Sequence, residues 1–210
     1  MSKSLKREME FARDLVNEAG AVTLRYFQRG VETQWKEDAT PVTVADVEAE
    51  NLIRQRLAAE FPRDGVLGEE KGEQAGSSGR VWIVDPIDGT KRFIQGVPLY
   101  GVLLALEENG EPVVGAIGLP GFDEVIFAAL GEGCWWNDRR ASVSEVDALS
   151  DACIVYTSFA GFETVSPRGG AVRDQLAQSA RLLRGWGDAY GYALVATGRA
   201  DAMIDSSISP

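Results

Sequence analysis

Trp82-Ile83-Val84-Asp85-Pro86-Ile87-Asp88-Gly89-Thr90 is an apolar run that ends in two acids and a glycine–threonine pair. Such a run reads as a strand, and acidic side chains at strand C-terminal ends are where α/β-type sites are usually assembled. Pro86 withdraws a backbone donor, which predicts that the ladder stops there. Asp85 and Asp88 then project from one turn, and Gly89 lets the following backbone approach a ligand closely. Upstream, Gly68-Glu69-Glu70 closes another short strand. Two carboxylates ~4 Å apart repel by about 4 kcal/mol at an effective dielectric near 20, so crowding several together calls for a cation. Oxygen ligands alone point to Mg²⁺, with Mn²⁺ able to substitute. Glu69-Glu70 in isolation is most simply a solvated corner, and Asp-Gly is a common turn pair. The full string behind an apolar strand is what argues for chemistry.

Outward from this string the pattern is helical before it and strand-like after it. Leu5, Met9, Ala12, Leu15, Val16, Ala19, Val22, Tyr26 and Phe27 recur at helical spacing, which predicts a long amphipathic helix ending near Gly30. A second helix begins after Pro41, with Thr43 as N-cap and Asp46 completing an Asp variant of the capping box. Its apolar stripe is Val47, Ile53, Leu57 and Phe61, and Pro62 stops it. Short apolar runs at Val66-Leu67, Val81–Val84, Val102–Leu106, Val113–Ile117, Val125–Ala129 and Ile154–Tyr156 read as strands of one substantial sheet. Gly72–Gly79 reads as a flexible loop, and Trp135-Trp136-Asn-Asp as a hairpin whose aromatics pack into the core. Helices over Ala171–Ala180 and Asp188–Ala196 and a strand at Ala200–Ile204 complete an α+β pattern without strict βαβ repetition.

Composition narrows the chemistry. The chain has 210 residues, the size of one domain or a close pair, and no histidine. That absence removes Ser-His-Asp triads, His-ligated zinc and imidazole bases together. Two cysteines, Cys134 and Cys153, suit no thiolate zinc site and read as reduced, buried thiols. Acids outnumber bases 32 to 21, a net charge of −11 that repels nucleic-acid phosphates. No apolar run approaches the ~18 residues of a membrane span, and no secretory signal opens the chain, so the expected setting is cytoplasmic, away from membranes. A haloacid-dehalogenase site needs its two acids two residues apart, whereas Asp85 and Asp88 are three apart; no Walker string exists either.

Gly68-Glu-Glu, Trp82–Thr90 and Leu194-Val-Ala-Thr-Gly-Arg-Ala-Asp201 together resemble the inositol monophosphatase-like family of metal-dependent phosphatases, over nearly the whole chain. Asp85–Phe93 and Gly187-Asp-Ala-Tyr-Gly-Tyr192 are most similar to its bacterial histidinol-phosphatases. The resemblance implies a layered αβαβα sandwich, usually a homodimer, that requires Mg²⁺ and acts on a small phosphorylated metabolite. It implies that Glu69, Asp85 and the Ile87 carbonyl hold a first metal, and that Asp85 and Asp88 share a second. Asp88, Gly89 and Thr90 then meet the phosphate, Asp46 accepts from the Thr90 hydroxyl, and Glu69 with Thr90 orients the attacking water in line. Asp46 as a helix cap is the purely structural role, and the two are compatible. Asp188 and Asp205 fall at substrate-lining positions, where acids complement the amine and imidazole of histidinol phosphate. Their structural alternatives are an N-cap and a strand-end surface acid. Lys36 could approach the phosphate, although a lone lysine is usually solvated.

In the family a Trp-Asp string with a further metal-ligating Asp follows the position of Pro210, so the expectation is a single domain, 1–210, with an under-coordinated second metal. A sheet edge left unpaired there would be an aggregation liability. The alternatives are an inositol-1-phosphate, sugar or nucleotide phosphatase of the same family, and a catalytically impaired metal-binding remnant that serves as a dimer partner.

Overall fold

The computed structural model describes residues 4–36, 40–159 and 168–205, so the terminal residues 206–210 lie outside it. The chain divides into two compact units, Met1–Arg140 and Ala141–Pro210. The first opens with helix α1 (Lys6–Leu24), hairpin strands β1 (Thr33–Trp35) and β2 (Pro41–Thr43), and helix α2 (Val44–Glu60). It continues through β3 (Gly65–Gly68), β4 (Gly72–Gln74), β5 (Arg80–Asp88), the short helix α3 (Thr90–Ile94), β6 (Gly101–Glu108) and β7 (Glu111–Leu119). Strands β8 (Glu124–Ala129), β9 (Gly133–Trp136) and β10 (Arg139–Ala141) follow. These form an eight-stranded sheet in the order β10-β9-β8-β7-β6-β5-β3-β4. Its strands pair antiparallel from β5 through β9, whereas β3 and β5 run parallel.

Helix α1 is shorter than its apolar spacing predicts; turns rather than helix carry the chain from Arg25 to Arg29. It buries Met9, Ala12, Leu15, Val16 and Ala19 in one core with Val102, Leu104, Leu106, Val114 and Ala116 of the sheet. Close approach is enforced at Gly118, where a Cβ would stand 3.1 Å from the Val16 carbonyl oxygen. Helix α2 starts as the capping box requires: Ala45 N–H donates to Thr43 Oγ1 (3.1 Å) and Thr43 N–H to Asp46 Oδ2 (2.8 Å). Its inner stripe is Ala45, Ala49, Ile53 and Leu57, one every helical turn, while Val47 faces solvent. Phe11, Phe61 and Trp82 close the end of this core, the first two edge to face at 5.0 Å. A second cluster, Ala45, Ile87, Phe93 and Tyr100, packs beneath the end of β5.

Two expectations are corrected here. Gly72–Gln74 is not loop but strand β4, paired antiparallel with β3. The strand at Ile154–Tyr156 does not join the large sheet; in the second unit β11 (Cys153–Tyr156) is central to a parallel sheet with β12 (Leu182–Arg184) and β13 (Ala202–Ile204). The helices α4 (Gly169–Ser179) and α5 (Ala189–Ala196) supply the crossovers that parallel pairing demands. Asp201 ties this unit together, accepting from the Cys153 N–H and from the Ser144 hydroxyl. The two hydrogen bonds hold its carboxyl below the ordinary carboxylate value. Cys153 is a buried free thiol and Cys134 a half-buried one. The Trp135–Asp138 hairpin forms as expected between β9 and β10, with Trp135 packed against the core.

Candidate active site

Parallel pairing of β3 with β5 brings two acidic strand ends to the same place. Gly68 sits opposite Val84, and the chain stays in register one residue further, where Glu69 N–H donates to the Val84 carbonyl at 3.2 Å. Glu69 therefore emerges beside Asp85. Strand β5 does not stop at Pro86. It runs on to Asp88 through a bulge: Asp85 pairs with Leu103 but Asp88 with Gly101, so three steps on β5 oppose two on β6. A regular strand would send residues three apart to opposite faces; the extra residue restores the parity and turns Asp85 and Asp88 to one side. Pro86, unable to donate, sits inside this irregular stretch.

The crowding is visible in the acids themselves. Burial, the charges of Asp88 and Glu69, and a hydrogen bond with Glu69 push the Asp85 carboxyl well above the ordinary carboxylate range, against the pull of the Ile87 N–H. That N–H donates to Asp85 Oδ1 at 3.1 Å. Asp46 is also raised, by burial, although bonds from Thr43 oppose the shift. Thr90 Oγ1 lies 2.9 Å from the Ile87 carbonyl and 3.5 Å from Asp46 Oδ1, so its one proton goes to Ile87 and the contact with Asp46 is long. Asp46 thus keeps both anticipated neighbours, with the cap the stronger. Gly89 adopts φ 91° directly before α3, a conformation open to glycine, and leaves Thr90 at the first helical position.

Lys36 is not solvated, contrary to the usual fate of a lone lysine. Its Nζ lies 2.9 Å from Glu69 Oε1 and 2.8 Å from Glu70 Oε1, with only 26% of the side chain exposed. Burial opposes its charge, yet the bonds to Glu70 and Glu69 win and raise it. Glu70 is correspondingly no solvated corner: 7% of its side chain is exposed, and burial pushes its carboxyl up while Lys36 pulls it down.

Residues the sequence reading missed stand behind Glu70. Glu50, fully buried on the inner face of α2, accepts Glu70 N–H at 2.8 Å and Lys71 N–H at 3.2 Å, and pairs with Arg54 Nε at 2.7 Å. An acid one helical turn after Asp46, on the stripe that faces the core, was the available signal.

Hard oxygen donors at the ends of β3 and β5, raised by mutual repulsion, fit a divalent cation in their chemistry. The expected cage of Glu69, Asp85 and Asp88 is not ready-made, however: among the described residues no three Asp, Glu, His or Cys side chains are grouped to hold an ion. Asp85 keeps its hydrogen bond with Glu69, and Lys36 meets part of the negative charge. Asp188 and Asp205 belong to the second unit. Asp188 precedes α5 at φ 56°, ψ −155° without a side-chain cap, and its N–H donates to Thr157 Oγ1 at 3.0 Å. Tyr192 donates its hydroxyl to Asp205 Oδ2 at 2.6 Å.

Known proteins share this architecture. The histidinol-phosphatase of Chlorobaculum parvum is 44% identical over 204 residues, covering 97% of this chain and 78% of that protein. The histidinol-phosphatase of Mycobacterium tuberculosis is 40% identical over 179 residues, 83% of this chain and 68% of that one. The solved IMPase of Thermotoga maritima superposes with a TM-score of 0.86 at 29% identity, over 95% of this chain and 76% of its own. With the inositol monophosphatase family profile matching residues 4–210, the chain belongs to that family of metal-dependent phosphatases, which hydrolyse phosphate monoesters.

Proposed function

We propose that this chain hydrolyses histidinol phosphate with Mg²⁺ as its metal. The observation that carries the reading is the bulge in β5, which turns Asp85 and Asp88 to one side next to Glu69 on the adjoining parallel strand. Glu69, Asp85, Asp88 and the Ile87 carbonyl are the groups that would hold the ion. When bound, Mg²⁺ supplies the positive charge that lets a phosphate ester accept attack by water. Thr90 and Glu69 then orient that water, and the Gly89–Thr90 backbone receives the phosphate. The Ile87 carbonyl steadies the Thr90 hydroxyl, and Asp46, whose contact with Thr90 is long, caps the start of α2 beside it. No covalent phosphoenzyme is required.

The choice of substrate rests on the two relatives named histidinol-phosphatase. Acidic side chains complement an alcohol that carries an amine and an imidazole better than an uncharged polyol, and that is the role the family resemblance gives Asp188 and Asp205. Measured with Mg²⁺ present, kcat/KM for histidinol phosphate should exceed that for inositol-1-phosphate by at least tenfold, about 1.4 kcal/mol of discrimination. Equal values on the two esters would remove the substrate assignment and leave a family phosphatase of broader scope. Chelation with EDTA should abolish turnover, and added Mg²⁺ should restore it.

A further inference from the structure

We infer that Glu50 is the positioning residue of the metal site: its carboxylate, clamped by Arg54, fixes the turn that aims Glu69. This deepens the reading above and rests on it. Glu50 does not face the acids of the site; it faces backbone. Its two oxygens accept the N–H groups of Glu70 (2.8 Å) and Lys71 (3.2 Å), the two residues that follow Glu69. Arg54, one turn along α2, donates Nε to Glu50 Oε1 at 2.7 Å and Nη2 to the Gly72 carbonyl. Turn 69–72 is thus held at both ends from one helix face. The approach is so close that a Cβ on Gly68 would lie 2.6 Å from Glu50 Cδ and 2.7 Å from Arg54 Nη2.

Asp46, Glu50 and Arg54 are spaced four residues apart and form one polar stripe inside α2. The stripe touches Thr90 at its first residue and the Glu69 turn at the second and third. A fully buried carboxylate is expensive unless every lone pair has a donor, and here two amides and a guanidinium supply them. Arg54 reaches only one of the two oxygens, so the amides complete the set, and because both belong to the residues that follow Glu69 they tie the buried acid to the Glu69 turn.

The test uses the full chain and its Glu50→Gln variant, with Mg²⁺ alone as the probe. Gln keeps one acceptor but turns an NH₂ toward donors, so it cannot hold both amides. Calorimetry should show Mg²⁺ binding weakened about 10–100-fold, as for other groups that orient metal ligands. Amide hydrogen exchange at Glu70 and Lys71 should accelerate. Excess Mg²⁺ should recover most of kcat, because the ligands themselves remain. Arg54→Lys, which keeps the charge but loses the fork to Gly72, should show a smaller loss in the same direction. Faster exchange at unchanged Mg²⁺ affinity would overturn the inference, as would unchanged exchange, or loss of the fold in both variants. A wild-type chain that takes up no Mg²⁺ would instead overturn the metal reading itself.

Discussion

Gly68→Ala tests the clamp without replacing any acid. The φ of Gly68 is not in the left-handed region, so alanine meets no backbone strain, and the whole effect is steric. The new methyl would stand 2.6 Å from Glu50 Cδ, and relief to an ordinary 3.4 Å contact requires a shift of about 0.8 Å. A shift of that size would stretch the 2.8 Å bond from Glu70 N–H to Glu50 Oε2 to at most roughly 3.6 Å, beyond hydrogen-bond reach. Hydrogen bonds to a charged group are worth about 1.5–3 kcal/mol each, so losing the two amide bonds in part should destabilise the protein by about 3 kcal/mol. The stiffer unfolded chain returns only ~0.4–1 kcal/mol. The net loss is then about 2–2.6 kcal/mol, so for a chain of this size the melting temperature should drop by about 4–10 °C, measured by circular dichroism, and the apparent Mg²⁺ affinity should fall alongside it. A glutamate is a flexible side chain. If Gly68→Ala melts like the wild type and binds Mg²⁺ equally well, Glu50 swings aside freely and the clamp does not exist.

Asp85→Asn should lower phosphate release at saturating Mg²⁺ by at least ~100-fold, while the metal-free protein melts higher, because the amide no longer repels Asp88 and Glu69. Near-normal turnover would remove Asp85 from the site. The raised Asp85 carboxyl also sets a pH dependence: the folded state holds its proton more tightly than the unfolded chain does. Stability of metal-free wild type should therefore fall as pH rises from the ordinary carboxylate value of 3.8 through the higher folded one, and Asp85→Asn should flatten that slope in melts recorded against pH. Asp201 has the opposite sign. Its depressed carboxyl contributes stability above 3.8 that disappears as pH falls through the folded value, so Asp201→Asn should destabilise at neutral pH and less so in acid. Lys36→Gln removes the ammonium that competes for Glu69 and Glu70, and calorimetry without substrate should find Mg²⁺ bound more tightly; weaker binding would mean that Lys36 helps the metal instead.

The elements of the fold were legible where a single periodicity ruled. Helix α2 is an instance: Thr43 and Asp46 announced its cap, and the cap formed atom for atom. The strands from β5 to β8 were legible for the same reason, as apolar runs between turn residues. What could not be read was pairing. Nothing local in Ile154–Tyr156 says that it joins Leu182–Arg184 and Ala202–Ile204 rather than the large sheet; that follows from which helices cross over between them. The β5 bulge is an intermediate case. Pro86 in a buried strand signals either an end or a bulge, and only the partner strand, with its pairs at Leu103 and Gly101, decides for the bulge. Asp85 and Asp88 were read as neighbours on one turn, and they are neighbours, but a bulge in the strand rather than a turn after it brings them together.

Lys36 and Glu50 share one lesson about charge. Each would be judged by its type, a solvated lysine and a helical glutamate facing water, because single-residue tendencies average over surroundings. Both are drawn inward by the same need. Strand ends that crowd Glu69, Asp85 and Asp88 accumulate repulsion that water in a half-buried corner cannot screen, so the surrounding chain must supply opposite charge and fix the backbone against spreading. Lys36 does the first from the β1–β2 hairpin, and Glu50 with Arg54 does the second from α2. On the proposed reading, a site that holds a divalent cation leaves a footprint in residues that never touch the ion: a half-buried lysine on its acids and a buried acid on its backbone. The converse also follows. Were the acids a solvated turn, neither Lys36 nor Glu50 would gain from burial, and both would have stayed in water.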